Sequence, residues 1–297
     1  MPVQNSKHLF SGTGVALVTP FRKDLSVGFD SLRRLVNHVI DNGVQYLVAL
    51  GTTAETPTLT ADEKKEVLSC IISAADGRVP VVCGMGGNNT AEILQLLKEY
   101  DLSKVDGLLS VVPYYNKPTQ EGMYQHFKAI AQATEKPIIL YNVPGRTSSN
   151  LLPATALRLA NEFSNIVAIK EASGNLAQCM ELVAGAPDHF AVLSGDDDLV
   201  LPQIAAGMHG VISVAANCFT KDFTGMVDLA LEGKFEEARK LHYKLLPGIH
   251  LLFTDGNPAG VKSTLEALDL GYNNLRLPLV PVSEATALKI KSFLTTL

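Results

Sequence analysis

The chain predicts an α/β fold, a (β/α)8 barrel holding the catalytic site over residues 1–230 and a helical extension over 231–297, and three observations carry that expectation. Eight apolar stretches of strand length recur, each bounded by Gly, Pro or Asp and followed by a stretch with helical spacing. The stretches are continuously apolar rather than alternating. That marks strands covered on both faces, and strict alternation with helices marks parallel pairing through helical crossovers. Beyond the eighth stretch only helical patterns remain, and eight units in about 220 residues fit a closed barrel better than an open sheet.

In order, the expected strands are Gly14–Thr19, Tyr46–Leu50, Val79–Cys83, Gly107–Val112, Pro137–Tyr141, Ile166–Lys170, Phe190–Ser194 and Gly210–Val214. Between them lie amphipathic stretches such as Ser31–Ile40 and Glu121–Ile130, with apolar residues three and four apart. A doubly wound sheet is the alternative, but it would want a nucleotide loop. The nearest match, Gly84–Asn89, lacks the last glycine of GxGxxG and reads as a turn leading to a Thr90 N-cap. In the extension, one helix is expected from Glu232 to about Phe253, a second from Asn257-Pro258 and a third from an N-cap at Ser283 to Leu297. Leu275–Pro281 reads as an extended connector.

Composition narrows the function. The 297 residues are 46% hydrophobic and 19% charged with a net charge of −5, and Lys and Arg are scattered, which disfavours nucleic acid or an anionic membrane as partner. Cys70, Cys83, Cys179 and Cys218 lie far apart with no metal-ligand spacing, so neither a zinc site nor a disulfide framework is expected. The start has no apolar signal region and no stretch is long enough to span a bilayer; the expectation is a soluble cytoplasmic protein.

The sixth stretch, Ile166–Lys170, ends a nearly wholly apolar run in a lysine. A lysine there either snorkels to water or is used, because an amine held away from water loses its proton more readily and becomes a nucleophile towards carbonyls. In a barrel the loops after the strands form the active face. Those loops hold Gly51-Thr52-Thr53-Ala54-Glu55, Tyr114-Tyr115-Asn116, Tyr141 through Thr147 with Arg146, and Gly195-Asp196-Asp197-Asp198. Two hydroxyls beside a glycine turn can bind a carboxylate, a tyrosine one strand from an amine can shuttle protons, and an arginine can clamp a second carboxylate. These are parts of an amine-catalysed carbon–carbon bond enzyme acting on a keto acid.

Those motifs, with Ile169-Lys170-Glu171-Ala172 and Gly210–Val214, resemble the 4-hydroxy-tetrahydrodipicolinate synthase (dihydrodipicolinate synthase) family. That family belongs to the pyruvate-dependent Schiff-base superfamily that also contains N-acetylneuraminate lyase. The resemblance covers essentially the whole chain in order. It implies a lyase that condenses pyruvate with L-aspartate 4-semialdehyde on the route to diaminopimelate and lysine. Lys170 would form the imine, Tyr141 would be its general acid/base, and Thr53 and Tyr115 would complete a hydroxyl relay. Thr52 and Thr53 would bind the pyruvate carboxylate, Arg146 that of the semialdehyde, and Gly195 and Ile212 would line the pocket through their carbonyls. No metal, flavin or nicotinamide is needed, since the protonated imine is the electron sink. The resemblance also implies a homotetramer, a dimer of tight dimers, with Tyr115 reaching the neighbouring active site. Asn88, Glu92 and Tyr114 match a pocket that binds lysine in bacterial members. There Ala61 and Lys64 stand where sensitive members often carry histidines, and Lys64 is expected either to repel the effector or to pair with Glu92.

Two other classes remain: a sibling aldolase cleaving N-acetylneuraminate or a 2-keto-3-deoxy sugar acid, and a barrel that binds keto acids without turnover. Arg146 favours the synthase, because a carboxylate-bearing aldehyde needs a cation at the mouth. Ala54 replaces the family's usual glycine and is expected to hold φ < 0. Asp196–Asp198 are expected to cap a helix from Leu199, and Glu55 and Glu171 to be structural hydrogen-bonding groups.

Overall fold

The computed structural model describes residues 8–297. Eight strands, β1 (Gly12–Ala16), β2 (Tyr46–Ala49), β3 (Val81–Gly84), β4 (Gly107–Val111), β5 (Ile138–Asn142), β6 (Ile166–Glu171), β7 (Ala191–Ser194) and β8 (Gly210–Ser213), close into a parallel barrel in chain order. The expected barrel is therefore present. Boundaries move by a few residues; β1 begins two residues earlier than expected, where Gly12 pairs with Gly210 across the closing seam. A Cβ on Gly210 would stand 2.1 Å from the Gly12 carbonyl oxygen, so only glycine lets the last strand meet the first.

Eight helices surround the strands: α1 (Phe29–Asp41), α2 (Ala61–Ala75), α3 (Thr90–Glu99), α4 (Gln120–Gln132), α6 (Pro153–Glu162), α7 (Leu176–Gly185), α8 (Val200–Ala205) and α9 (Thr220–Leu231). A single turn, α5 (Pro144–Thr147), follows β5. The extension is α10 (Phe235–Phe253), α11 (Ala259–Ala267) and α12 (Glu284–Leu294), with α10 packed on α9 and α8. The Ser283 hydroxyl caps α12 as expected. Glu232 instead terminates α9, and α11 starts after Asn257-Pro258 rather than at it. No helix among the described residues is long and apolar enough to cross a membrane.

Strand parity makes two cores. Residues such as Leu47, Ile138, Leu140, Ile169 and Val192 pack outward against the helices. Their neighbours Tyr46, Val48, Ile139, Ala168, Leu193 and Ile212 fill the barrel interior, with Phe10 against Tyr46. Successive side chains of a strand face opposite sides, so Tyr141 shares the inner face with Ile139, and Lys170 shares it with Ala168.

Candidate active site

Parity settles the first question about Lys170. It points into the barrel, only 5% exposed, and a strand cannot rotate one side chain to the outside without rotating all of them. The register of β5 on β6 sets Tyr141 directly opposite Lys170 and Asn142 opposite Glu171. The Lys170 Nζ lies 4.4 Å from the centre of the Tyr141 ring. Outside the barrel wall, the Asn142 carboxamide donates to both Glu171 oxygens at 3.2 and 3.0 Å, and Gln178 of α7 adds a bond of 3.1 Å. The Ser173 N–H completes the shell at 2.9 Å. Glu171 is thus a structural hydrogen-bonding group, as expected, and it holds together the two strands that carry the amine and the phenol.

Gly195 follows β7 and closes the third side. A Cβ there would meet Ala172 Cβ at 2.5 Å and Lys170 Cε at 3.0 Å, so glycine makes room for the lysine stem. Ile212, fully buried, backs the interior from β8. Tyr141 forms part of the wall of a cavity of about 550 Å³ that opens at the strand ends, with Thr52, Arg146 and Asn257 also lining it. Arg146 stands exposed on α5, without a carboxylate partner among the described residues.

The two threonines separate. Thr52 is exposed to the cavity, whereas Thr53 is buried and its hydroxyl accepts from Asn257 Nδ2 at 3.0 Å. Ala54 ends the short turn Thr52–Ala54 with φ below zero, as expected, and the left-handed positions are Leu50 and Glu55 on either side. Tyr115, at φ 71° and 86% exposed, lies outside this chain's cavity, while Tyr114 lines it.

Asn88, Glu92, Tyr114 and Lys64 line one side of the same cavity, and Asn88 Nδ2 donates to the Tyr114 carbonyl at 3.3 Å. Lys64 does not pair with Glu92 among the described residues, which removes one of the two roles expected of it. Two capping expectations are corrected. The N-cap of α3 is Asn89, and the Thr90 hydroxyl instead meets His126 Nδ1 at 2.8 Å. Asp196–Asp198 do not cap α8, whose N-cap is Leu199. Asp197 is buried and accepts from the Val214 and Ala215 N–H groups at 3.1 and 2.8 Å, tying the end of β7 to the loop after β8. Burial raises its carboxyl, and it pushes that of Asp196 up to about 6, against the opposing charge of Lys170.

Sequence reasoning missed Asn257 as a site residue, together with the buried Lys262, which pairs with Glu55. The carboxylate of Glu55 accepts from the Arg276 N–H as well, at 3.0 Å. For Asn257, the only local signal was an Asn-Pro pair that reads as a helix start.

A parallel eight-stranded barrel with an enclosed amine beside a phenol at its strand ends has the parts of an amine-catalysed carbon–carbon lyase. The particular family follows from comparison: the chain belongs to the dihydrodipicolinate synthetase family, whose sequence model matches residues 9–297. It is 55% identical to the 4-hydroxy-tetrahydrodipicolinate synthase of Flavobacterium psychrophilum over 284 residues, covering 96% of this chain and 97% of that one. The enzyme of the same name from Parabacteroides distasonis is 51% identical over 286 residues, 96% of each chain. Among solved structures, dihydrodipicolinate synthase from Thermotoga maritima is 42% identical and superposes with a TM-score of 0.94, covering 97% of this chain and 98% of that one.

Proposed function

We propose that this barrel condenses pyruvate with L-aspartate 4-semialdehyde to give 4-hydroxy-tetrahydrodipicolinate, with Lys170 as the imine-forming residue. The observation that carries this reading is the Tyr141–Lys170 register pair, an amine and a phenol facing each other inside an apolar barrel. The neutral amine attacks the keto carbon, and the carbonyl oxygen leaves as water after two proton transfers. A proton then leaves the methyl carbon, the imine nitrogen takes up the electron pair, and the resulting enamine attacks the aldehyde carbon. The semialdehyde's own amine finally adds to the imine carbon and expels Lys170, which closes the ring.

Tyr141 is the proton carrier at the imine, since it is the titratable group facing the amine across the strand pair. Thr53 and Thr52 hold the pyruvate carboxylate, and the relay runs on through Thr53 and Tyr115 to solvent. Arg146, without a carboxylate partner among the described residues, receives the semialdehyde carboxylate at the mouth. A polyhydroxy sugar acid would leave that cation without a partner, and a barrel that only bound keto acids would have no use for the phenol beside the amine.

The working assembly is a homotetramer in the cytoplasm, built from tight dimers. A tyrosine held at positive φ and almost wholly in water is unusual unless another surface receives it, and Tyr115 fits a place in the neighbouring subunit's site. The cavity wall of Asn88, Glu92, Tyr114 and Lys64 is the place for an effector amine, where the Lys64 charge weakens binding.

Incubation with pyruvate and borohydride followed by peptide mass spectrometry tests the reading. It requires the adduct on Lys170, its loss in Lys170→Ala, and turnover with aspartate semialdehyde rather than N-acetylneuraminate. An adduct on another lysine, or preference for the sugar acid, overturns it.

A further inference from the structure

Asn257 lies between α10 and α11, some two hundred positions along the chain from Thr53, yet it forms part of the cavity wall and its carboxamide reaches Thr53. It is 8% exposed, and its one described side-chain hydrogen bond is the donation to Thr53 Oγ1 at 3.0 Å. Its carbonyl oxygen is buried without a hydrogen-bond partner among the described residues, so no other polar network there claims this side chain. A threonine hydroxyl has one proton and two lone pairs. When a carboxamide N–H occupies the oxygen, the proton is left to point elsewhere. Thr53 is buried, so water does not reorient it.

We infer that Asn257 is a positioning residue for the keto acid: by holding the Thr53 hydroxyl through its oxygen, it fixes that hydroxyl as a donor towards the pyruvate carboxylate. The inference rests on the reading of Thr53 as a carboxylate ligand. The surrounding construction supports it, because the whole loop after β2 is fastened by the same stretch of chain. Lys262, 1% exposed, pairs with Glu55 and donates to the Asn274 carbonyl at 2.9 Å. Arg276 grips Glu63 through both oxygens at 2.7 and 2.5 Å and donates to the Thr58 carbonyl at 2.8 Å. These residues set where the loop lies. Lys262 and Arg276 hold Glu55 and Thr58 of the cavity wall, whereas Asn257 holds the buried hydroxyl of Thr53, next to the cavity-lining Thr52, and decides which way its proton faces.

Four variants of the enzyme test this. Asn257→Ala is expected to raise KM for pyruvate about tenfold, the effect of one hydrogen bond to a charged group, while KM for aspartate semialdehyde stays within about twofold. Asn257→Asp, nearly isosteric, is expected to raise it further, since its carboxylate takes the Thr53 proton and repels the substrate's. Thr53→Val combined with Asn257→Ala is expected to be no worse than Thr53→Val alone. If Thr53→Val raises KM for pyruvate and neither Asn257 variant does, the inference fails while the reading of Thr53 stands. If Thr53→Val leaves KM unchanged, that reading fails first and the inference with it. Multiplicative losses in the double variant, or equal rises for both substrates, would show that Asn257 does not act through Thr53. Should Asn257→Ala fold poorly by its thermal transition, Asn257→Asp carries the test by itself.

Discussion

Gly195→Ala is the sharpest test of the geometry around the amine. The added methyl would lie 2.5 Å from Ala172 Cβ and 3.0 Å from Lys170 Cε, and the Ala172 Cα stands behind at 3.3 Å. Carbon atoms in contact settle about 3.5–4.0 Å apart, so neighbours must yield by roughly 1 Å. The Ala172 backbone is tied to Asn142 by a hydrogen bond of 2.8 Å, which leaves the lysine stem as the part that moves. A shift of about 1 Å at a reacting group costs on the order of 10²-fold in rate, and overpacking costs roughly 1–3 kcal/mol in stability. The expected result is a loss of that order in kcat/KM for pyruvate and in the rate of borohydride trapping, with a lower melting temperature. Gly225→Ala in α9 is the control: its methyl meets only Leu241 Cδ1 at 3.8 Å. It should gain about 0.4–1 kcal/mol and keep full activity. Wild-type trapping kinetics in Gly195→Ala would refute the claim that this glycine makes room for the amine.

Tyr141→Phe should keep slow imine formation and lose on the order of 10²–10⁴ in turnover, the range for one general acid/base group; unchanged steady-state rates would remove the phenol from the proton path. Arg146→Ala should raise KM for aspartate semialdehyde far more than KM for pyruvate, and equal rises in a two-substrate titration would make it structural. Burial lowers His126 to about 4 from an ordinary 6.5, so the folded state binds fewer protons between those values. Stability is therefore fully present above about pH 6.5 and falls as pH drops towards 4, by on the order of 2–3 kcal/mol. Urea titrations across that window should show the slope in the native chain and a flatter one in His126→Gln. Lysine should inhibit weakly, with roughly tenfold or more lost to the Lys64 charge, and Ala61→His with Lys64→His should restore sensitivity. Strong inhibition of the native chain at submillimolar lysine would contradict this.

The barrel was legible because each strand writes its own burial into the sequence, and Lys170 stood out as the one charge ending such a run. The turns that bring Arg146 and Thr52 to the cavity were legible because the loops after the strands form the open face of this fold. Asn257, Lys262 and Asp197 were not, since each acts on a segment distant in sequence and nothing in its own neighbourhood names the partner. The caps failed for a related reason. Asp197 and Thr90 have the right chemistry for a helix start, but a better partner lay across the fold: two N–H groups after β8 for the one, a buried imidazole for the other.

The back-to-back arrangement on β5 and β6 has a bearing on how such a barrel can change its second substrate. Tyr141 and Asn142 share a peptide unit, as do Lys170 and Glu171, so the spacing of amine and phenol is stored on the far side of the wall where no substrate travels. The side chains at the mouth, by contrast, lie outside this lock, which reaches their loop only through its far end, where Asn142 donates to Asn150 Oδ1 at 2.7 Å and accepts from the Leu151 N–H at 2.9 Å. A lineage can therefore exchange side chains at the mouth while inheriting the amine–phenol spacing intact, and a variant that fails can carry its lesion in the helical layer, one residue removed from the barrel interior.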